Sequence, residues 1–253
     1  MNFFVVVNGK KGKQALIIIV AALFTAIFLY LENALNNTVF STEDGPRAIY
    51  KGDERGEKIA LTFDVNWGDE HILNILEVLK KEKVNSTFFI LADWAERHPE
   101  VVTQIAEDGH EIGSKGYSYK DYSELEASEI KTDILKSKDV FKVLQVKAAP
   151  LLRPPTGNIN EEVITTASEV GYTVVHWSID SQDWLRPGTK EITKNVTKNL
   201  NGGDIILLHA SDSASQTAEA LPSIIQFIKK KGYKNVTVTE LITNTDTKSG
   251  EIN

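Results

Sequence analysis

IALTFDV at residues 59–65, with DEHILNILEVLKKEK at 69–83 behind it, is the stretch on which the fold turns. The first run is apolar almost throughout and ends on an acid, Asp64, as a strand buried on both faces and stopped at a polar rim would. The second places Ile72, Ile75, Leu76 and Leu79 on one helical face. A short buried strand followed by an amphipathic helix is the unit from which parallel α/β sheets are built.

The same unit recurs outward along the chain. STFFILA (86–92) reads as a second strand with a helix over 96–107, and HEIGS (110–114) as a third, short strand. Ser123 and Glu126 have capping-box spacing for a helix reaching Leu144. APLLRPP (149–155) is strand four, followed by a helix over 160–170, and TVVHWSID (173–180) is strand five, followed by a helix over 190–200. DIILLHA (204–210) is strand six, and its helix, 217–231, contains Pro222, which predicts a kink. NVTVTEL (235–241) supplies a seventh strand. Seven units predict an α/β fold closed as a TIM-like (β/α)7 barrel, one unit short of the usual eight; an open doubly wound sheet is the alternative.

Ahead of this body, residues 15–31 (ALIIIVAALFTAIFLYL) carry no charge. As a helix they would span roughly 25 Å, enough for one crossing of a bilayer core. Lys10, Lys11 and Lys13 precede the run, and no acid occurs before Glu32. The positive-inside rule therefore predicts a single-pass anchor with the body on the extracytoplasmic side; a cleaved signal peptide is the alternative. The expected organisation is a cytoplasmic tail over 1–14, the anchor over 15–31, and a linker with one short strand over 32–57. The barrel follows over 58–243, and a disordered polar tail over 244–253.

Composition narrows the function. A net charge of −7 argues against nucleic acid as a partner, since binding there needs a basic face. The absence of cysteine excludes disulfides, thiolate metal sites and a cysteine nucleophile, and suits a protein outside the cytoplasm. In a barrel, chemistry sits at the C-terminal strand ends. Those ends hold Asp64, then Ser114 to Tyr119, then Arg153, then Asp180, Asp183 and Trp184, and last His209. An acid, a base, an arginine and aromatics meeting in one pocket suit hydrolysis. Three other histidines, His71, His98 and His176, read as a helix start, a surface group and a core or outer-face residue, and His110 as part of the barrel wall.

TFD at 62–64, GHEIG at 109–113 with YS at 117–118, RPPTG at 153–157, WSIDSQDW at 177–184 and IILLH at 205–209 form an ordered set. In that order they resemble the five motifs of the polysaccharide deacetylases (NodB-homology domain, carbohydrate esterase family 4), and most closely its sporulation-associated members. The resemblance covers about 59–241 and implies a barrel that removes N-acetyl groups from amino sugars of peptidoglycan. It implies roles in turn. Asp64 would be the base that activates water, Arg153 the residue that orients it, Asp183 the carboxylate behind the catalytic histidine, and His209 the general acid. Trp184 and Leu207 would form the groove for the acetyl methyl; apart from the resemblance, Trp177 as an aromatic and Tyr119 as a hydroxyl donor are further candidates for contact with the glycan.

The family's metal ligands are an Asp directly after the first Asp and two His after strand three. Here Val65, Lys115 and Tyr119 stand at those places. A lysine ammonium 4 Å from a divalent cation is repelled by roughly 8 kcal/mol at an effective dielectric near 20. The expectation is therefore no metal cofactor, with Lys115 lying within hydrogen-bond reach of Asp64. Three functions remain open: a deacetylase in which Lys115 stabilises the oxyanion, a glycan-binding barrel without turnover, and an envelope scaffold of the sporulating cell.

Overall fold

The computed structural model describes residues 19–20, 22–25, 41–42, 45–243 and 248–249. The chain divides into two units, 1–38 and 39–253. In the first, residues 19–20 and 22–25 are helical and exposed; the rest of the anchor expected over 15–31 lies outside the described residues. Among the described residues, no helix is long and apolar enough to cross a membrane.

The second unit is the α/β body. Its elements are β1 (Ile49–Lys51), β2 (Lys58–Val65), α1 (Ile72–Glu82), β3 (Thr87–Ile90), α2 (Ala92–Arg97), α3 (Pro99–Glu107), β4 (Glu111–Ser114) and α4 (Ala127–Val143). They continue as β5 (Ala148–Leu152), α5 (Glu161–Glu169), β6 (Thr173–Val174), β7 (Ile179–Asp180), α6 (Thr189–Thr197), β8 (Ile205–His209), α7 (Thr217–Lys230), β9 (Lys234–Asn235) and α8 (Val238–Ile242). The main sheet runs β6-β5-β4-β3-β2-β8-β7, every pairing is parallel, and β9 attaches to the start of β2. The parallel α/β architecture is the one the repeating units require. No ladder joins β6 to β7, so the circle of strands has an open seam.

Within the stretch read as a linker, β1 lies across that seam. Ile49 bridges Val175 on one side and Lys51 bridges Asp204 on the other. Ala48 and Ile49 are buried there, which ties this stretch to the body.

Side-chain alternation along the strands sorts two environments. On β2, Ile59, Leu61, Phe63 and Val65 enter the large apolar cluster shared with the helices, while Ala60 belongs to a second cluster with Phe89, Leu151 and Ile205. Thr62 and Asp64 share the face of Ala60, so the interior column is apolar at its base and polar at its top. The register carries this across strands: His209 of β8 stands beside Asp64, and Leu207 beside Thr62.

Four expectations about elements are corrected. NVTVTEL is not a strand beyond Asn235. Thr237 Oγ1 accepts a hydrogen bond from the Glu240 amide and Glu240 Oε2 accepts one from the Thr237 amide, which starts α8. Val238, Leu241 and Ile242 then join the second cluster from the base of the barrel, a burial a strand could not supply. The long helix α4 is capped by the pair Glu126 and Glu129, one step after the pair expected, because Asp121 engages Ser123 in a preceding turn. Strand five is split into β6 and β7, with His176 and Trp177 at the break. Helix α7 runs through Pro222 without interruption.

Candidate active site

Asp64 ends β2 and is almost wholly enclosed, with 4% of its surface exposed. Its Oδ1 accepts from Arg153 Nη1 at 2.8 Å and its Oδ2 from Lys115 Nζ at 2.5 Å. Lys115 therefore lies on Asp64, as its position in the sequence suggested. Both cations are as buried as the acid, Lys115 at 1% and Arg153 at 0%.

Arg153 is positioned by strand pairing and then held on every nitrogen. Its amide donates to Ser114 O at 2.9 Å as the chain leaves β5 beside β4. Nη1 also donates to Thr62 Oγ1, Nη2 to His176 O and Nε to Val175 O. The guanidinium lies 4.1 Å over the Phe89 ring, where dispersion and cation–π attraction offset part of its desolvation. Thr62 was not singled out by sequence reasoning. Its signal was available, since it lies two residues before Asp64 and so on the same face.

Lys115 sits on a loop whose amides are hydrogen-bonded from Lys115 to Ser118. Its amide donates to Ile90 O, and Gly116 turns the chain at φ +77°, where an added Cβ would strike the Tyr122 hydroxyl. Asp133 of α4, also missed from sequence, accepts from the Tyr117 amide at 2.7 Å, the Ser118 amide at 3.2 Å and the Tyr122 hydroxyl at 2.7 Å. The loop after β4 is thus pinned from the helix layer.

His209 ends β8. Its Nδ1 is 2.7 Å from Asp183 Oδ1, while Asp183 Oδ2 accepts from the His209 amide at 2.8 Å and from Thr217 Oγ1 at 2.6 Å. Thr217 arrives from the start of α7 and carried no local sequence signal. Of the remaining candidates, Leu207 is buried one alternate position below His209 and Trp177 lines the Arg153 side. Tyr119 and Trp184 are about half exposed. Tyr119 meets Trp67 edge to face at 6.2 Å, which places Trp67 at the same rim.

Electrostatics follow from this packing. Burial would raise the Asp64 carboxyl, but Lys115 and Arg153 outweigh it and hold it at about 2. Burial pushes the Lys115 ammonium below its ordinary range against the pull of Asp64. Burial also lowers His209, yet the hydrogen bond and charge of Asp183 reverse this and leave it raised. A carboxylate whose pKa falls on folding contributes stability that is present above its unfolded value, near 3.8, and lost as pH falls through about 2. Thermal melts from pH 5 to pH 2 are expected to show that loss, with a shallower acid limb in Asp64→Asn. For His209 the sign is opposite. Its contribution is complete below 6.5 and is lost as pH rises through the folded value. An imidazole titration followed by NMR should accordingly place His209 above 6.5; a midpoint below that value would contradict the Asp183 pairing.

The donors at the three ligand positions do not fit a divalent cation. Val65 is buried in the apolar cluster, the Lys115 ammonium occupies the free oxygen of Asp64, and Tyr119 is an exposed phenol. Among the described residues, no three His, Asp or Glu side chains converge as a metal-ligand group.

Comparison with known proteins bears on this geometry. The family model described as polysaccharide deacetylase matches residues 51–175. A peptidoglycan-N-acetylglucosamine deacetylase of Bacillus cereus is 40% identical over 187 residues, covering 73% of this chain and 87% of that one. The solved Bc1960 peptidoglycan N-acetylglucosamine deacetylase superposes with a TM-score of 0.73 at 33% identity, over 76% of this chain and 91% of that chain. A wild-type CE4 family pseudoenzyme from Bacillus anthracis superposes at 0.74 with 29% identity, over 79% of this chain and 72% of the other. A mutant of that pseudoenzyme with restored enzymatic activity superposes at 0.74 as well, with 30% identity over 78% of this chain and 71% of the mutant.

Proposed function

This chain belongs to the polysaccharide deacetylase family, and on that premise we propose that its barrel mouth binds N-acetylated amino-sugar units of peptidoglycan without hydrolysing them. One observation carries the reading: both oxygens of Asp64 are engaged by buried cations. A base held at about 2 is separated from free water by about 14 pK units, or about 19 kcal/mol for full proton transfer. A metal would bring the water to about 7 and remove more than half of that gap. Val65, Lys115 and Tyr119 supply no such ion, so water at this site stays too weak an acid for Asp64. The similarity to a CE4 family pseudoenzyme supports the same reading.

What remains at the mouth suits recognition. Trp67, Tyr119 and Trp184 offer exposed aromatic faces around a polar floor, the chemistry that holds sugar rings. The apolar run 15–31 after three lysines supports a membrane-tethered body on the extracytoplasmic side, and the resemblance to sporulation-associated deacetylases supports a role in spore formation.

A second reading rests on the Asp183–His209 pair, whose raised histidine could protonate a leaving amine while Lys115 stabilises the oxyanion. One experiment separates the two. The full-length protein is titrated with N-acetylglucosamine oligomers by calorimetry while released acetate is assayed. Binding is expected, with acetate release no greater than that of Asp64→Asn. Release well above that control, abolished by Lys115→Ala, would replace the first reading with the second.

A further inference from the structure

The open seam between β6 and β7 holds a cavity of about 650 Å³, within the ~300–1,000 Å³ range of small-molecule sites. Tyr50 and Lys51 of β1 form one wall, Trp177 and Asp180 a second, and Asn195 with Asn199 a third. It adjoins the mouth without being part of it: Arg153 reaches Asp64 with one nitrogen and the His176 carbonyl, on the cavity wall, with another.

The floor of the cavity is a built ionic network. Lys51 Nζ lies 3.0 Å from Asp204 Oδ1 and 3.1 Å from Glu54 Oε1, and Ser178 Oγ donates to Asp204 Oδ1 at 2.8 Å. Asp180 adds a further carboxylate, half-buried, with a 2.8 Å hydrogen bond from the Gln182 amide and no ion pair among the described residues. Burial pushes its carboxyl up, against the Gln182 hydrogen bond and the charge of His209, which pull it down. Burial and Arg153 together hold His176 down at about 4, so this ring brings no positive charge near neutral pH. Asp204 matches Lys51, which leaves Asp180 as a wall carboxylate with no ion pair among the described residues.

The upper walls have a different chemistry. The His176 and Trp177 rings stack at 3.7 Å and 14°, giving a flat aromatic slab. The Tyr50 hydroxyl and the Asn199 amide make no hydrogen bond among the described residues, and Asn195 uses only its Nδ2, on Ser181 O at 3.0 Å. A flat aromatic face suits the C–H side of a sugar ring, unengaged amides and a phenol suit its hydroxyls, and surplus negative charge suits a cation. A neutral N-acetylated sugar leaves that charge unanswered, and an anionic one opposes it.

We propose that the seam cavity is a separate binding site for a glucosamine unit with a free ammonium group, that is, a glycan unit from which the acetyl group has already been removed. Asp180 receives the ammonium, the His176–Trp177 slab carries the ring, and Asn199 and Tyr50 read the hydroxyls. The reaction that must supply this ligand is amide hydrolysis of an N-acetylated glycan. With Asp64 locked, another deacetylase performs it. The chain would then hold processed glycan at the seam beside unprocessed glycan at the mouth.

The test uses the full-length protein and two probes, a glucosamine tetramer and an N-acetylglucosamine tetramer, with affinities measured by calorimetry. Asp180→Asn is expected to weaken the glucosamine tetramer about tenfold or more, the worth of one charge-assisted hydrogen bond. The acetylated tetramer, which carries no ammonium for Asp180 to receive, should lose far less affinity than the glucosamine tetramer. Asn199→Leu should weaken the same probe, and melting curves check that both variants are folded. Tyr119→Ala at the mouth should do the reverse, weakening only the acetylated probe. Failure of the mouth reading would therefore show in the second probe alone. The seam proposal is overturned if both seam variants bind the glucosamine tetramer as the parent does. It is equally overturned if a lysine-containing tripeptide competes as well as the amino sugar, since the site would then read an amine and not a sugar.

Discussion

The triple variant Val65→Asp, Lys115→His, Tyr119→His is expected to bind about one equivalent of a divalent metal and to release acetate from N-acetylglucosamine oligomers at least ~10³ times faster than the parent. The gain follows from the lesion. In the parent, Lys115 and Arg153 cap both Asp64 oxygens, and no donor at residue 65 or 119 can hold a cation. Removing the ammonium frees Oδ2, and a metal-bound water needs far less help to ionise. Full proton transfer to Asp64 would become easier by up to about 12 kcal/mol, so 10³ is a floor. The retained Asp183–His209 pair is already positioned to protonate the leaving nitrogen. A second readout guards against a misfolded variant. Val65 is buried among apolar side chains, so a carboxylate there should lower the melting temperature without metal and recover it when metal is added. Metal binding without acetate release would show that turnover is blocked elsewhere, and the account of Asp64 given above would fall.

Arg153→Met is expected to produce the largest stability loss of any single substitution at the mouth, about 3–5 kcal/mol. The guanidinium is fully buried and satisfies Asp64, Thr62 and the carbonyls of Val175 and His176 at once. Its removal leaves a buried carboxylate short of one partner and takes from two carbonyls the hydrogen bond that Arg153 gives them among the described residues, and an unpaired buried polar group is costly. In a domain of this size the melting temperature should fall by roughly 10 °C. Lys115→Met is the informative comparison. Asp64 would keep Arg153, and no backbone carbonyl would be orphaned, so the loss should be about half as large. If Lys115→Met proved the more damaging of the two, the ammonium and not the guanidinium would be the main support of Asp64.

Much of the site was legible in the chain before any geometry. Asp64, Arg153 and His209 each end or follow an apolar run, Asp183 lies three residues past another strand, and in parallel strands the C-terminal ends converge on one rim. The Lys115 contact was legible as well, because the resemblance set Lys115 at a ligand place beside Asp64. Thr217 and Asp133 were not. Both are ordinary helix residues by composition, and their partners lie 34 and 16 residues away in sequence. The seam was equally hidden, since TVVHWSID looks like one strand until the pairing of each half is known.

The pattern of apolar runs and helical faces by itself determined the parallel α/β class and the order of the strands' polar ends, while the resemblance to the family's motifs is what gave residues 65, 115 and 119 their meaning as ligand places. Local patterns suffice for these because they depend on residue type and spacing. Tertiary structure alone decided that α8 plugs the base, that β1 crosses an open seam with a cavity beside it, and that Lys115 and Arg153 together close both oxygens of Asp64. Those outcomes depend on which groups from distant segments share one buried volume, and on how far each must be desolvated to meet the others.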